Sequence, residues 1–186
     1  MSFQLPSGVT VLEDETGYCF EPYEGYRLEM VTNQPYDFIY LIAVSSERLY
    51  SLFRSLTECC LPDSVFFILE HHALEPKSYL SPYWEKKLII DFLTPYHNFL
   101  ANDGGIGFGL AHSTSDHHSE IFVDDHKIVT LFTSRRKDVE KVIKSFAIPH
   151  HEKMEFLSQY PHLHTHHPES EELIETILTR LNMRSS

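Results

Sequence analysis

The chain is poor in the features from which an activity is usually read. Of its 186 residues only three are cysteines, Cys19, Cys59 and Cys60. An odd number with two of them adjacent argues against a disulfide framework, and reduced thiols in a cytoplasmic protein are the expectation. No apolar run approaches the ~18 residues of a membrane span. Phe38–Val44 is seven residues long, the length of a buried strand. Residues 1–15 carry neither a basic start nor a long apolar segment, so a secretory leader is not expected. Cations are scarce where acids are dense. Residues 1–40 hold Glu13, Asp14, Glu15, Glu21, Glu24, Glu29 and Asp37 against Arg27 alone, −6 of a net charge of −12. Such a surface repels nucleic acid and anionic lipid and suits a cationic partner.

Glycine is also sparse, seven in all, yet four stand close together at Gly104, Gly105, Gly107 and Gly109. They do not make a dinucleotide fingerprint, because Leu110 occupies the third place after Gly107 and the run opens a strand rather than a helix. Neither G-K-[ST] nor G-x-S-x-G occurs, so phosphate-loop and serine-elbow chemistry have no support. A turn at Gly104–Gly105, then a strand face of small residues against which a helix can lie, is the expected role.

What the chain does contain is regular patterning. The most legible stretch runs from Asn102 to Pro149. Ile106, Phe108 and Leu110 alternate with Gly107, Gly109 and Ala111; Glu120–Asp124 and Lys127–Thr133 follow as a hairpin closed by Asp125 and His126. Ser134 then stands as an N-cap before a helix with Val139, Val142, Ile143 and Phe146 on one stripe. Upstream, Val9–Leu12, Tyr18–Phe20 and Tyr26–Val31 read as short strands. Phe38–Val44, a helix from Ser45 or Ser46 to Pro62, and Val65–Leu69 read as strand, helix, strand in a crossover. Ser81 and Pro82 mark a further helix start, with Trp84, Leu88 and Phe92 on one face. A short helix over His150–Tyr160, a loop over Pro161–Pro168 and a last helix from Ser170 complete the chain. The expectation is one α+β domain over 1–186, a mixed or largely antiparallel sheet with helices packed on it. Its central β-β-β-α unit spans 102–149 and its C-terminal helical segment 150–186.

Thirteen histidines are the main chemical resource. His112, His117 and His118, near Asp116 and Glu120, form the first candidate for a metal ion, the only cofactor the composition suggests. Asp124, Asp125 and His126 fall at the other end of the same hairpin and cannot join them. His151 and Glu155 miss the H-E-x-x-H pattern by one residue. His162, His164 and His166 would point to one side if their loop is extended, and such tracts also take up metals non-specifically. Solvated loops are the ordinary role of such histidines. Cys59 and Cys60 close an amphipathic helix and read as small buried apolar groups.

Arg135, Arg136 and Lys137 crowd the first turn of the helix after Ser134, where they oppose the helix dipole. They either pair with acids of this chain or form a local anion- or partner-binding patch. On balance the sequence points to a non-enzymatic acidic binder of a basic macromolecular partner. Its contact residues would be Glu13, Asp14, Glu15, Tyr18, Glu21, Tyr23 and Glu24, in which aromatics alternate with carboxylates. In general character, though through no quotable motif, this is similar to bacterial immunity proteins that neutralise a toxin. The alternatives are a metal-dependent enzyme built on a His/Asp/Glu cluster and an assembly factor whose last helix docks on a partner.

Overall fold

The computed structural model describes residues 3–72 and 75–186. Among the described residues eleven strands and five α-helices make an α+β arrangement. The main sheet is built from β2 (Gly25–Met30), β3 (Phe38–Ala43), β4 (Ser64–His71), β5 (Lys77–Leu80), β7 (Ile106–Ser113), β8 (His118–Val123), β9 (Val129–Thr133) and β11 (Arg184–Ser185). Their order is β11-β5-β4-β7-β8-β9-β3-β2, and every neighbouring pair is antiparallel. The two-residue β6 (Trp84–Glu85) pairs only with the start of β4. Away from this sheet, β1 (Val9–Val11) and β10 (His162–His164) form a two-stranded ribbon.

Alternation places Val65, Phe67 and Leu69 of β4 on one face with Phe108 and Leu110 of β7, Ile121 and Val123 of β8, Leu131 of β9, and Tyr40 and Ile42 of β3. All are fully buried. Helices α1 (Ser46–Cys60), α2 (Lys86–Leu93), α3 (His97–Asn102), α4 (Arg136–Ser145) and α5 (Ser170–Arg180) add their apolar stripes to this one core. Phe53 of α1 meets Phe108 edge-on with ring centroids 5.0 Å apart, a favoured aromatic geometry. On the other face Phe122 lies across Gly107 and Gly109, so the glycines of β7 make room for an aromatic ring rather than for the helix expected there. Among the described residues no helix is long and apolar enough to cross a membrane.

The strand-helix-strand unit is present but spread wide. β3 and β4 run parallel, with β9, β8 and β7 inserted between them. The second helix begins at Lys86 rather than at Ser81. Ser81 instead follows β5 and is bonded to the sheet: its Oγ accepts the Phe67 N–H at 2.8 Å and donates to the Pro82 carbonyl at 2.7 Å. Pairing of Trp84 and Glu85 with β4 then delays the helix, which buries Ile89, Ile90 and Leu93 and leaves Leu88 exposed. Ser81→Ala would strand the buried Phe67 N–H and should cost about 1–2 kcal/mol. The check is the denaturant midpoint at unchanged slope.

Two C-terminal expectations also change. His150–Tyr160 holds only a single 3-10 turn, Leu157–Gln159, and Pro161–Pro168 contains β10. Residues 150–186 are therefore mainly irregular chain plus one helix. Met154 and Phe156 close over Ile128 instead of forming a helical stripe.

Candidate metal centre

The site begins in the turn between β8 and β9. Asp124 accepts the Lys127 N–H on its carbonyl at 3.0 Å and the Ile128 N–H on its side chain at 2.8 Å. Lys127 closes the turn with φ at +63°, a left-handed conformation that L residues other than Gly, Asn and Asp adopt at a cost. Its side chain is buried, donates to the Ile106 carbonyl at 2.7 Å and passes over the Phe108 ring. Burial lowers the Lys127 pKa to about 8 against the opposing pull of Asp103, Asp124 and Asp125. With Lys127 turned inward, His126 faces the β1–β10 ribbon.

On β10, residues 162 and 164 share a side because a strand alternates. Their pairing with Val11 and Val9 fixes which side, and Leu163 is left exposed on the other. His162 and His164 thereby meet His126. The three ring centroids lie 4.7, 4.8 and 4.8 Å apart, a nearly equilateral triangle, and one ligating atom of each residue lies within 4.8 Å of the others. All three are half-buried.

Two of the three Nδ1 atoms are hydrogen-bonded to backbone carbonyls. That of His162 donates to the Tyr160 carbonyl at 2.6 Å, and that of His164 donates to the Gly104 carbonyl. His126 Nδ1 stands 2.9 Å from Asp125 and 3.4 Å from Asp124, within ion-pair range although neither carboxylate lies on the line of a hydrogen bond. For His162 and His164 these carbonyl partners place a proton on Nδ1 and leave Nε2 as the nitrogen not so engaged, whereas Asp124 and Asp125 favour the charged form of His126. His164 Nε2 is buried with no hydrogen-bond partner among the described residues. Asp125 lies beneath the group, 3.4 Å from His164 Nδ1 and 3.8 Å from His72 Nδ1.

Charge follows this geometry. Burial opposes ionisation of both Asp125 and His126, yet Asp124 and Asp125 beside His126, and His126 beside Asp125, outweigh it and set Asp125 at about 2 and His126 at about 9. Burial pushes His164 below the ordinary imidazole value. In the metal-free protein the raised His126 stabilises the fold fully below pH 6.5, and that share is lost as pH rises through 9. The lowered Asp125 contributes above pH 3.8 and loses its share as pH falls through 2. Melting curves in EDTA should therefore show a decline between pH 6.5 and 9 that Asp125→Asn flattens.

The residues picked out from sequence are placed otherwise. His112 pairs with Ser119 and His118 with Ser113, so these two imidazoles lie on opposite sheet faces. His112 Nδ1 contacts the Ser64 carbonyl, His117 Nε2 contacts Ser119 Oγ and His118 contacts Glu120. His112, His117 and His118 do not converge. His151 and Glu155 share no helix; His151 packs on Tyr23, whose hydroxyl accepts the Glu155 N–H. His166 leaves the line of His162 and His164, and its Nδ1 lies 3.3 Å from the buried Asp103.

The acidic N-terminal face divides. Asp14 closes a turn by accepting from Thr16 and Tyr18, and Glu24 binds Arg48 and the Ser45 N–H at the start of α1. Glu13, Glu15, Tyr18 and Glu21 remain exposed. Arg135 pairs with Asp138 at 2.9 Å and Arg136 with Glu140 at 2.7 Å, so that cluster is largely neutralised within its own helix, with Lys137 outside these pairs.

No protein-family model, curated protein or solved structure matches this chain.

Proposed function

We propose that this protein acts through one bound divalent ion of the zinc class, held by Nε2 of His126, His162 and His164. What supports this is the convergence of three imidazoles from two elements far apart in the chain, each with its other nitrogen facing an oxygen. Second-shell oxygens of this kind fix the tautomer and orientation of ligating histidines. Nitrogens of a tetrahedral zinc site lie about 3.4 Å apart, given Zn–N bonds of about 2.0–2.1 Å, so a small inward turn of the rings completes the set.

Three histidines with a vacant fourth position are the donor set of catalytic zinc, whereas structural zinc favours thiolates. Cys19, Cys59 and Cys60 take no part in the cluster. An ion so bound supplies water of lowered pKa, which suits metal-assisted hydrolysis. Asp124 and Asp125 would hold His126 in place, and His164 would bring a ring that burial keeps neutral.

The test uses protein expressed without an affinity tag and purified without chelating resin. Elemental analysis should find about one zinc per chain, lost in His126→Ala/His164→Ala and retained in His112→Ala/His117→Ala/His118→Ala. Equal retention in both variants would mean that scattered surface histidines hold the metal, and the proposal fails.

A further inference from the structure

The last turn of α1 ends on two consecutive cysteines, Cys59 and Cys60, before the chain turns extended at Leu61. Neighbouring residues on a helix point about 100° apart and as a rule do not face each other. These two do: their Sγ atoms lie 3.1 Å apart, and both thiols are free. Cys60 is 1% exposed and belongs to the core, whereas Cys59 is only half-buried. Packing accounts for Cys60, the small apolar group expected from the sequence. It does not account for a second thiol at the core's edge turned onto the first.

The pair is also unequal in its acidity. The hydrogen bond from Cys60 lowers the Cys59 pKa, aided by Arg135 and opposed by burial and Asp138. The same hydrogen bond, with burial, pushes the Cys60 thiol up. Lys86 Nζ donates to the Leu61 carbonyl at 2.6 Å and to the Glu58 carbonyl at 3.4 Å. That cation offsets the negative end of the helix dipole, which would otherwise oppose a thiolate here. A thiol of lowered pKa, partly exposed and touching a second thiol, is the arrangement of a reactive cysteine with its resolving partner.

We propose that Cys59 and Cys60 form a reversible oxidation site for hydroperoxides, in which Cys59 reacts first and Cys60 resolves it to an intrachain disulfide. The Cys59 thiolate attacks one peroxide oxygen and the O–O bond breaks. Sulfur gives up two electrons to become a sulfenic acid, and the departing hydroxide takes up the thiol proton as water. Cys60 sulfur then attacks Cys59 sulfur, the S–O bond breaks, and the second hydroxide leaves as water with the Cys60 proton. Two thiols and one hydrogen peroxide thus give one disulfide and two waters. Consecutive Cα atoms lie about 3.8 Å apart, short of the usual range of about 4.4–6.8 Å, so the bridge is readily reduced again. The site shares no residue with the histidine triangle and stands independently of it.

The probe is hydrogen peroxide, added in modest excess to the full reduced chain in EDTA. Mass spectrometry follows the peptide that holds both cysteines. In the wild type this peptide should lose two hydrogens and regain them with dithiothreitol, a result that needs no substitution. Cys60→Ala should stop at the Cys59 sulfenic acid, trapped by dimedone at a yield at least tenfold above that of the wild type. Cys59→Ala should slow the loss of the Cys60 thiol at least tenfold. Cys19→Ser, which removes the exposed third cysteine, should change the wild-type rate less than twofold. Oxidation of Cys19 while Cys59 and Cys60 keep their thiols would overturn the proposal. Equal dimedone capture at Cys59 in the wild type and in Cys60→Ala would overturn it as well, since Cys60 would then resolve nothing.

Discussion

Zinc at a hundredfold excess over its dissociation constant should raise the melting temperature of the metal-stripped chain by about 5–11 °C. The estimate combines about 2.7 kcal/mol of linkage stabilisation with about 2–4 °C per kcal/mol for a chain of this size. The site can transmit this stabilisation because it joins separate parts of the fold. His126 belongs to the β8–β9 turn, while His162 and His164 belong to a ribbon paired with β1 outside the main sheet. An ion between them ties the ribbon to the sheet. Thirteen histidines also offer zinc weak sites in the unfolded chain, which would reduce the shift. His126→Ala/His164→Ala controls for this, since it keeps eleven of the thirteen and should show no upward shift. A shift of the same size in that variant would assign the stabilisation to other histidines.

Asp103→Ala should be at least as damaging without any metal, at about 3–5 kcal/mol, or on the order of 10 °C in melting temperature. Asp103 is 1% exposed. Its carboxylate accepts the Gly105 N–H at 2.7 Å and the His167 N–H at 2.8 Å, and it faces His166 Nδ1 at 3.3 Å. It also supports the charge on buried Lys127. One side chain thus fixes the turn into β7, the approach to α5 and the cation beneath the β8–β9 turn. Close backbone approach adds to the demand: a Cβ on Gly105 would overlap the His166 ring, and one on Gly104 would overlap the Gly8 carbonyl. Hydrogen bonds to a charged acceptor contribute about 1.5–3 kcal/mol each, and the stranded Gly105 N–H is buried. Asp103→Asn keeps the shape and one acceptor and should fall between wild type and alanine. An alanine variant as stable as wild type would remove Asp103 from this role.

Alternation and helical stripes were sufficient to locate β3, β4, β7, α1 and α4 to within a residue or two, because each buries a strongly patterned face. The same reasoning misplaced the start of α2, where a Ser-Pro pair imitates a helix start although Ser81 is bonded to the sheet. It also assigned a helix to 150–160, whose apolar residues instead divide, Met154 and Phe156 covering Ile128 and Leu157 packing with Val9 and Phe20. Half of the histidine triangle was within reach: the period-two spacing of His162 and His164 projects both imidazoles to one side of an extended segment. The other half was not. His126 was separated from them by more than thirty residues, and only the pairing of β1 with β10 brings the ribbon to the β8–β9 turn. His166 was drawn off the line by Asp103, whose burial nothing in its sequence context announces. The acidic composition was plain, yet which acids are engaged depended on tertiary partners: Glu24 and Asp14 are, while the side chains of Glu171, Glu172 and Glu175 have no partner among the described residues.

The coordination shell of the ion is the most direct test. X-ray absorption at the zinc edge of untagged protein should show three imidazole nitrogens at about 2.0–2.1 Å with one further light atom. His162→Ala should reduce the imidazole count by one. A shell dominated by water oxygens, or one unchanged by that substitution, would contradict a metal centre at His126, His162 and His164.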